Sequence, residues 1–145
     1  MTVRIIVVLA PLFVAFLALV IWFGWKENRD ASRAETLYID LCASCHGAAL
    51  EGQSGWRNAV FDSRSAAPPL NGTGNASLHS DDMLLRTIMR KAWPGMGHSG
   101  PDLGAKYPDG EFQELLAWIK THWPKRELSY QKNLTEWAED RTGPR

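Results

Sequence analysis

Five consecutive residues carry the clearest chemical signal in the sequence: Cys42, Ala43, Ser44, Cys45 and His46. Two thiols three positions apart, followed at once by an imidazole, can form a redox dithiol, contribute three ligands to a zinc site, or attach a haem covalently. The chain has only 2 cysteines, both in this motif, so it contains no disulfide framework beyond this one possible pair. The surrounding sequence has to decide among the three.

The first two alternatives find little support around the motif. A thioredoxin-like dithiol belongs to an α/β domain, whereas this motif follows a helical pattern and leads into a Gly-rich stretch. A structural zinc site takes four ligands, and the fourth would have to be a distant histidine: His79, His98 or His122. A cysteine pair with a histidine directly after it is the attachment signature of c-type haem.

Haem attachment makes use of all three functional side chains. Each thiol adds to one haem vinyl group, and the spacing of Cys42 and Cys45 is about one helical turn, so both can reach the same macrocycle. His46 follows immediately and turns its imidazole toward the iron from the same side. The sequence therefore predicts one covalent haem c with His46 as an axial ligand.

The rest of the chain predicts an all-α fold organised by a cofactor. Apolar residues recur at helical spacing in three segments: Ala34, Leu37, Tyr38 and Leu41; Leu84, Leu85, Ile88, Met89 and Ala92; Phe112, Leu115, Leu116 and Ile119, with Trp118 beside them. Two long segments rich in Gly and Pro join them, 47–75 and 93–110. Three helices and two such loops supply too little apolar material for a core, which a buried haem would complete.

The amino-terminal segment is strongly apolar. No charged residue occurs from Ile5 to Trp25, and about 20 apolar residues are enough to span a bilayer as a helix. Trp22 and Trp25 stand where an interfacial aromatic belt is expected. We therefore predict an uncleaved transmembrane signal anchor over residues 1–25, with a cleaved signal peptide as the alternative.

Three further segments are expected after the anchor. Residues 26–33 are expected to form a short polar linker that can be helical. At helical rise it would place Ala34 about 13 Å from Trp25. Residues 34–124 form the haem domain. Residues 125–145 form a charged tail that either docks on a partner or is solvated.

The charge balance restricts the partners. The chain has 16 basic and 16 acidic residues and a formal net charge of zero. This composition provides no basic surface for nucleic acid, and it argues against strong electrostatic steering toward a charged partner.

Several features together resemble the class I cytochrome c family, over roughly Ala34 to Pro124. Ala34 and Tyr38 occupy the small and aromatic positions that cross the C-terminal helix, and residues 115–119 are similar to its apolar–aromatic pattern. Residues 67–72 resemble the Gly-Pro-x-Leu-x-Gly segment, with Ala67 in place of the first glycine and a longer loop, 48–66, before it. The resemblance implies that the Pro68 carbonyl accepts the second ring N–H of His46.

The resemblance also implies a sixth ligand in the loop before the C-terminal helix. Met96 lies there, between two glycines that permit close approach of the backbone. The alternatives are His98, an open position, and the other side chains with a suitable donor atom: Met83, Met89, His79 and His122. Trp56 is a candidate donor to a haem propionate or a packing residue, and Arg57 and Arg64 are candidate propionate partners.

These expectations combine into a function. The chain is predicted to be a membrane-anchored monohaem electron carrier rather than an enzyme. The family resemblance implies that its haem domain lies on the periplasmic side of a bacterial inner membrane. Its partners would be integral membrane redox complexes of a respiratory or photosynthetic chain: a quinol-oxidising complex, a terminal oxidase or a photosynthetic reaction centre. The alternatives are a haem-based sensor or small-ligand protein with a labile distal ligand, and a purely structural haem subunit.

Overall fold

The computed structural model describes residues 2–59, 66–89 and 106–142, and the side chains within 12–58, 66–89 and 106–141. The described part of the chain is helical and contains no strand. Its elements, in order, are α1 (Thr2–Leu41), α2 (Ala43–His46), α3 (Trp56–Ala59), the 3₁₀-helix η1 (Ala76–Leu78), α4 (Asp81–Met89), α5 (Asp109–Thr121) and α6 (Lys125–Thr142). The all-α class expected from the sequence is confirmed.

The chain divides into two compact units, Met1–Arg33 and Ala34–Arg145. In the first unit, the large apolar side chains described between Leu12 and Trp25 are exposed. The guanidinium of Arg29 lies 4.1 Å from the centre of the Trp25 ring, and Lys26 forms an ion pair with Asp30 at 2.7 Å. Among the described residues, no helix combines the length and the apolar character needed to cross a membrane, so the predicted transmembrane helix gains no support here.

The core of the second unit comes from the segments with helical periodicity. Tyr38 of α1, together with Phe112 and Leu115 of α5, is 0% exposed. The rings of Tyr38 and Trp118 lie 5.2 Å apart, so the two helical segments that were expected to cross are in contact through these side chains. Leu50, Ala76, Ile119 and Trp123 complete the buried cluster.

Helix α4 packs against this core through one face. Leu84, Leu85, Ile88 and Met89 are partly buried against it, as their spacing indicated. Ser80 caps the helix, because its hydroxyl accepts a hydrogen bond from the Met83 N–H at 3.4 Å and its carbonyl accepts the Leu84 N–H at 2.9 Å. Ala92, the last apolar residue predicted for this helix, lies outside the described residues.

The carboxyl-terminal stretch is the helix α6, which packs against η1 within the second unit. Its buried side follows helical spacing: Leu128 contacts the core cluster, Gln131 is 0% exposed, and Thr135 and Ala138 are half-buried. The sequence predicts only a charged tail here, docked or solvated, whereas the stretch is a helix. One of its faces is instead part of the folded unit.

Candidate functional site

The motif forms a helical turn directly after α1. The Cys42 carbonyl accepts hydrogen bonds from the Cys45 N–H at 3.1 Å and the His46 N–H at 2.9 Å. The amide of Cys42 in turn donates to the Tyr38 carbonyl at 2.8 Å. The hydrogen bond to the backbone of the buried Tyr38 therefore fixes the start of the turn that carries both thiols and the imidazole.

The two thiols lie in different environments. Cys45 is exposed and Cys42 is half-buried, and neither forms a disulfide. Burial raises the pKa of the Cys42 thiol to about 11, and the neighbouring Cys45 contributes to the rise. As a free thiol in this fold, Cys42 is therefore protonated at neutral pH.

The imidazole of His46 is oriented by a backbone carbonyl. Its Nδ1 lies 2.8 Å from the Pro68 oxygen, the acceptor that the family resemblance assigned to it. Since a carbonyl only accepts, Nδ1 carries the proton, and ligation of iron falls to Nε2. This hydrogen bond fixes the ring and raises its basicity as a metal ligand.

Two loop segments pair to bring Pro68 to that position. The Leu70 N–H donates to the Leu50 carbonyl at 2.9 Å, and the Gln53 N–H donates to the Ala67 carbonyl at 2.8 Å. Leu50 has a φ of 58° and is 2% exposed, so its apolar side chain is buried at a backbone conformation that costs energy for a non-glycine residue. The pairing places the segment beyond Ala67 next to the motif.

Glycine is required at the centre of this pairing. Gly52 has a φ of 71°, and a Cβ built on it would lie 2.5 Å from the Pro69 nitrogen and 2.7 Å from the Pro68 carbonyl carbon. Its N–H donates to the His46 carbonyl at 2.7 Å. A larger residue here would displace the backbone that carries the His46 acceptor.

Trp123 is a site residue that sequence reasoning missed. Its Nε1–H donates to the Leu70 carbonyl at 2.7 Å, and its side chain is 5% exposed. It thereby ties the end of α5 to the loop that presents Pro68. The only signal in the sequence is an aromatic residue directly before Pro124, which also fits ordinary packing.

Tyr38 connects the core to the loop after the motif. Its hydroxyl donates to the Gly47 carbonyl at 2.6 Å. Burial, more than the nearby Cys42 and Glu51, raises the pKa of this hydroxyl well above its ordinary value. The phenol therefore remains a hydrogen-bond donor under all ordinary conditions.

The candidate propionate partners are only partly described. Trp56 is half-buried on α3, and the Arg57 guanidinium lies 4.5 Å from the centre of its ring. Arg57 also donates to the Thr73 carbonyl at 3.4 Å. Arg64 lies outside the described residues, and the propionate role of Trp56 stays a prediction.

The candidates for the distal ligand lie in several parts of the chain. Met96 and His98 lie outside the described residues. Of the other candidates, Met83 is 37% exposed on α4, Met89 packs against the core, and the Nδ1 of His122 lies 3.1 Å from the Trp118 carbonyl. The His79 carbonyl accepts a hydrogen bond from Gln131 at 3.3 Å.

The zinc alternative gains nothing from the described residues. Within ranges 2–59, 66–89 and 106–142, no three His, Cys, Asp or Glu side chains gather as a metal site. The sequence-distant histidines His79 and His122 therefore do not join the motif in such a cluster.

Comparison with known proteins assigns the chain to a family. The cytochrome c family model matches residues 31–123, and neither a curated protein nor a solved structure gave a match. The chain belongs to the cytochrome c family, as a class I c-type cytochrome whose haem c, with its iron, is attached covalently. The residues fit this group, since Cys42 and Cys45 offer two thiols one helical turn apart and His46 is held by Pro68. A cytochrome c domain indicates electron transfer by a haem protein.

Proposed function

We propose that this chain is a membrane-anchored monohaem cytochrome that passes single electrons between membrane-bound redox complexes. The observation that carries the electron-transfer role is the hydrogen bond from His46 Nδ1 to the Pro68 oxygen, 2.8 Å long, within the attachment motif. It orients one axial ligand in advance and makes it more electron-donating. When bound, the haem iron supplies one-electron chemistry between Fe(III) and Fe(II).

Met96 is the proposed second axial ligand. It is supported by its place in the sequence, between Gly95 and Gly97 and ahead of α5. A thioether is a soft donor that favours Fe(II), so a His/Met pair raises the reduction potential. With both axial positions supplied by the chain, the site suits electron transfer and not the binding of a substrate to iron.

The visible spectrum of the purified protein tests this ligation. We expect sharp reduced c-type bands, together with the weak far-red band of Met-ligated ferric haem. Met96→Ala should abolish the far-red band, whereas Met83→Ala, which removes an exposed methionine from α4, should leave it intact. A far-red band that survives Met96→Ala would refute Met96 as the ligand, and its absence from the parent protein would favour His98 or the sensor alternative.

The proposed anchor rests on the sequence and on the exposed apolar residues of the first unit. No charged residue occurs from Ile5 to Trp25. The large apolar side chains between Leu12 and Trp25 are all exposed. Arg29 over the Trp25 ring makes an amphipathic pair typical of a membrane interface.

Fractionation of cells tests the anchor. The haem protein should remain in the membrane pellet after carbonate extraction and should be released by detergent. Protease added outside spheroplasts should digest the haem domain, because haem attachment in this family implies the periplasmic side. Recovery of the intact holoprotein in the osmotic-shock fluid would contradict the anchor while leaving the haem assignment in place.

The proposed partners are integral membrane redox complexes: a quinol-oxidising complex, a terminal oxidase or a photosynthetic reaction centre. The formal net charge of zero supports a constitutive neighbour over a partner found by long-range steering. Isolation in mild detergent should therefore co-purify subunits of one such complex, and the yield should change little with ionic strength. Purification of the chain alone, with electron exchange that falls steeply with salt, would instead indicate a free electrostatically steered carrier.

A further inference from the structure

Helix α6 lies beyond residues 31–123, the part of the chain that matches the cytochrome c family. It is rich in charged and polar residues, yet it buries the amide side chain of Gln131 completely. A buried amide is costly unless its polar atoms are hydrogen-bonded. The contacts of Gln131 therefore show what this helix holds in place.

The Gln131 amide nitrogen lies in a polar cluster around Asp81, the first residue of α4. It donates to Asp81 Oδ1, lies 3.0 Å from Thr135 Oγ1, and lies 3.3 Å from the His79 carbonyl. Lys120 of α5 binds both oxygens of the same carboxylate, at 2.9 and 3.0 Å. Two helices thus hold the Asp81 side chain from different positions in the sequence.

Thr135 acts on the backbone of the same residue. Its hydroxyl oxygen accepts the Asp81 N–H at 3.2 Å. The N–H groups of the first turn of a helix have no partner within that helix. One of these groups of α4 is therefore satisfied by a residue 54 positions later in the chain.

The other polar atom of Gln131 distinguishes a positioning role from a packing role. Within the described part of the chain, its Oε1 is buried without a hydrogen-bond partner. An apolar side chain of the same length would avoid that cost. Gln131 is thus poorly suited to filling space, and its contribution lies in what its nitrogen binds.

The restraint that α6 places on Asp81 also restrains the rest of α4. The helix is short, Asp81–Met89, and its far end packs on the core through Ile88 and Met89. In the sequence it leads directly into the segment that contains Met96. A short helix held at its first residue has less freedom to shift as a body.

We propose that Gln131 and Thr135 are positioning residues for α4, the helix that precedes the proposed ligand Met96 in the sequence. They hold the start of α4 through Asp81, and displacement of this helix should disturb the ligation that we propose for Met96. The inference rests on the proposed ligation by Met96 for its spectroscopic consequence, while the coupling of α6 to α4 is independent of it.

Two variants of the holoprotein test the proposal. Gln131→Met keeps the side-chain length and removes the amide, and Thr135→Val keeps the shape and removes the hydroxyl. Thr135→Ser restores the hydroxyl, and Asn133→Ala removes an exposed amide from the same helix. Thr135→Val, which changes a single group, decides the question if Gln131→Met lowers the yield of holoprotein.

The first readout is hydrogen exchange of the peptide covering 81–89. In Gln131→Met, loss of the hydrogen bond to the Asp81 carboxylate should speed the exchange of this peptide at least about tenfold. In Thr135→Val, loss of the neutral bond to the Asp81 N–H should speed it by roughly 2- to 10-fold, and the two controls should leave it unchanged. The second is a denaturant titration followed both by the far-red band and by helical circular dichroism. The band should disappear at a lower denaturant concentration than in the parent protein, while the midpoint of the helical signal stays close to the parent value.

The two readouts separate the possible failures. Unchanged exchange in α4 in both variants, or an equal acceleration in every helix, would overturn the proposal by showing that α6 only adds general stability. If the parent protein lacks the far-red band, ligation by Met96 is refuted, and exchange in 81–89 still decides whether α6 positions α4.

Discussion

Gly52 lies in the pairing of residues 50–53 with residues 67–70, which brings Pro68 to His46. Its φ is 71°, and an added Cβ would meet three backbone atoms at 2.5, 2.7 and 2.8 Å, all belonging to residues 67–69. Backbone atoms cannot rotate away as a side chain can. Gly52→Ala therefore forces that segment back by about 1 Å before ordinary contact distances are restored.

This displacement acts on the proximal ligand. The His46 Nδ1 to Pro68 O distance is 2.8 Å, and an increase of about 1 Å would break the hydrogen bond. The imidazole then donates less electron density, which disfavours Fe(III) and raises the reduction potential. If the bond favours the oxidised state by about 1 kcal/mol, the rise is on the order of 40 mV for a one-electron couple.

Stability should fall as well. Alanine at a positive φ costs about 1 kcal/mol relative to glycine, and the lost hydrogen bond adds about 1 kcal/mol. Gly55→Ala provides a matched control, since Gly55 has a φ of 77° and nothing lies within 4 Å of its added Cβ. It incurs the backbone cost without the collision.

Spectroelectrochemical titration of the three proteins measures the outcome. Gly52→Ala should show the raised potential and the larger loss in denaturant stability, while Gly55→Ala keeps the parent potential. Equal potentials in all three proteins would refute the argument that Gly52 protects the His46–Pro68 bond. Equal shifts in both variants would trace the effect to backbone flexibility instead.

Two further residues give predictions of the same kind. Trp123→Phe removes the 2.7 Å hydrogen bond to the Leu70 carbonyl and should lower the free energy of unfolding in denaturant by about 1–3 kcal/mol. The control Trp137→Phe alters an exposed residue and should change this free energy by less than about 0.5 kcal/mol. Equal losses in the two variants would contradict the role given to Trp123. The pKa of Tyr38 is raised chiefly by burial, so its ¹³Cζ resonance, assigned with Tyr38→Phe, should stay that of a neutral phenol at about pH 10, where an ordinary tyrosine is half ionised. Because the unfolded chain loses this proton first, the stability difference between the parent and Tyr38→Phe should be constant below about pH 10 and shrink above it.

The parts of the fold that the sequence predicted are those governed by local pattern. The spacing of Phe112, Leu115 and Ile119 placed three buried residues on one face of α5, and all three are at most 4% exposed. Tyr38 was likewise recognisable from its position on the preceding helical stripe. Such patterns are readable because a helix repeats every 3.6 residues and buries one side.

The geometry of the loops was not predictable in the same way. Leu50 adopts a positive φ that its residue type disfavours, and the exposed Arg57 side chain donates a hydrogen bond to the Thr73 carbonyl. Both arrangements depend on contacts between segments well separated in sequence. No local propensity encodes them, because the pairing of 50–53 with 67–70 stabilises backbone conformations that neither segment would favour alone.

The packing of helix α6 was also not predictable from local sequence. Its composition indicates a solvated stretch, since its charged residues dominate and its apolar residues are few. The buried nitrogen of Gln131 has partners in Asp81, Thr135 and the His79 carbonyl, and Asp81 is 50 residues away. In this chain, the loop that presents Pro68 and the helix that leads toward Met96 are each held by hydrogen bonds from residues near or beyond the end of the family match. The carboxyl-terminal segment therefore binds both the loop that presents Pro68 and the start of α4, and substitutions in α6 should be tested for an effect on haem ligation before they are assigned to a partner surface.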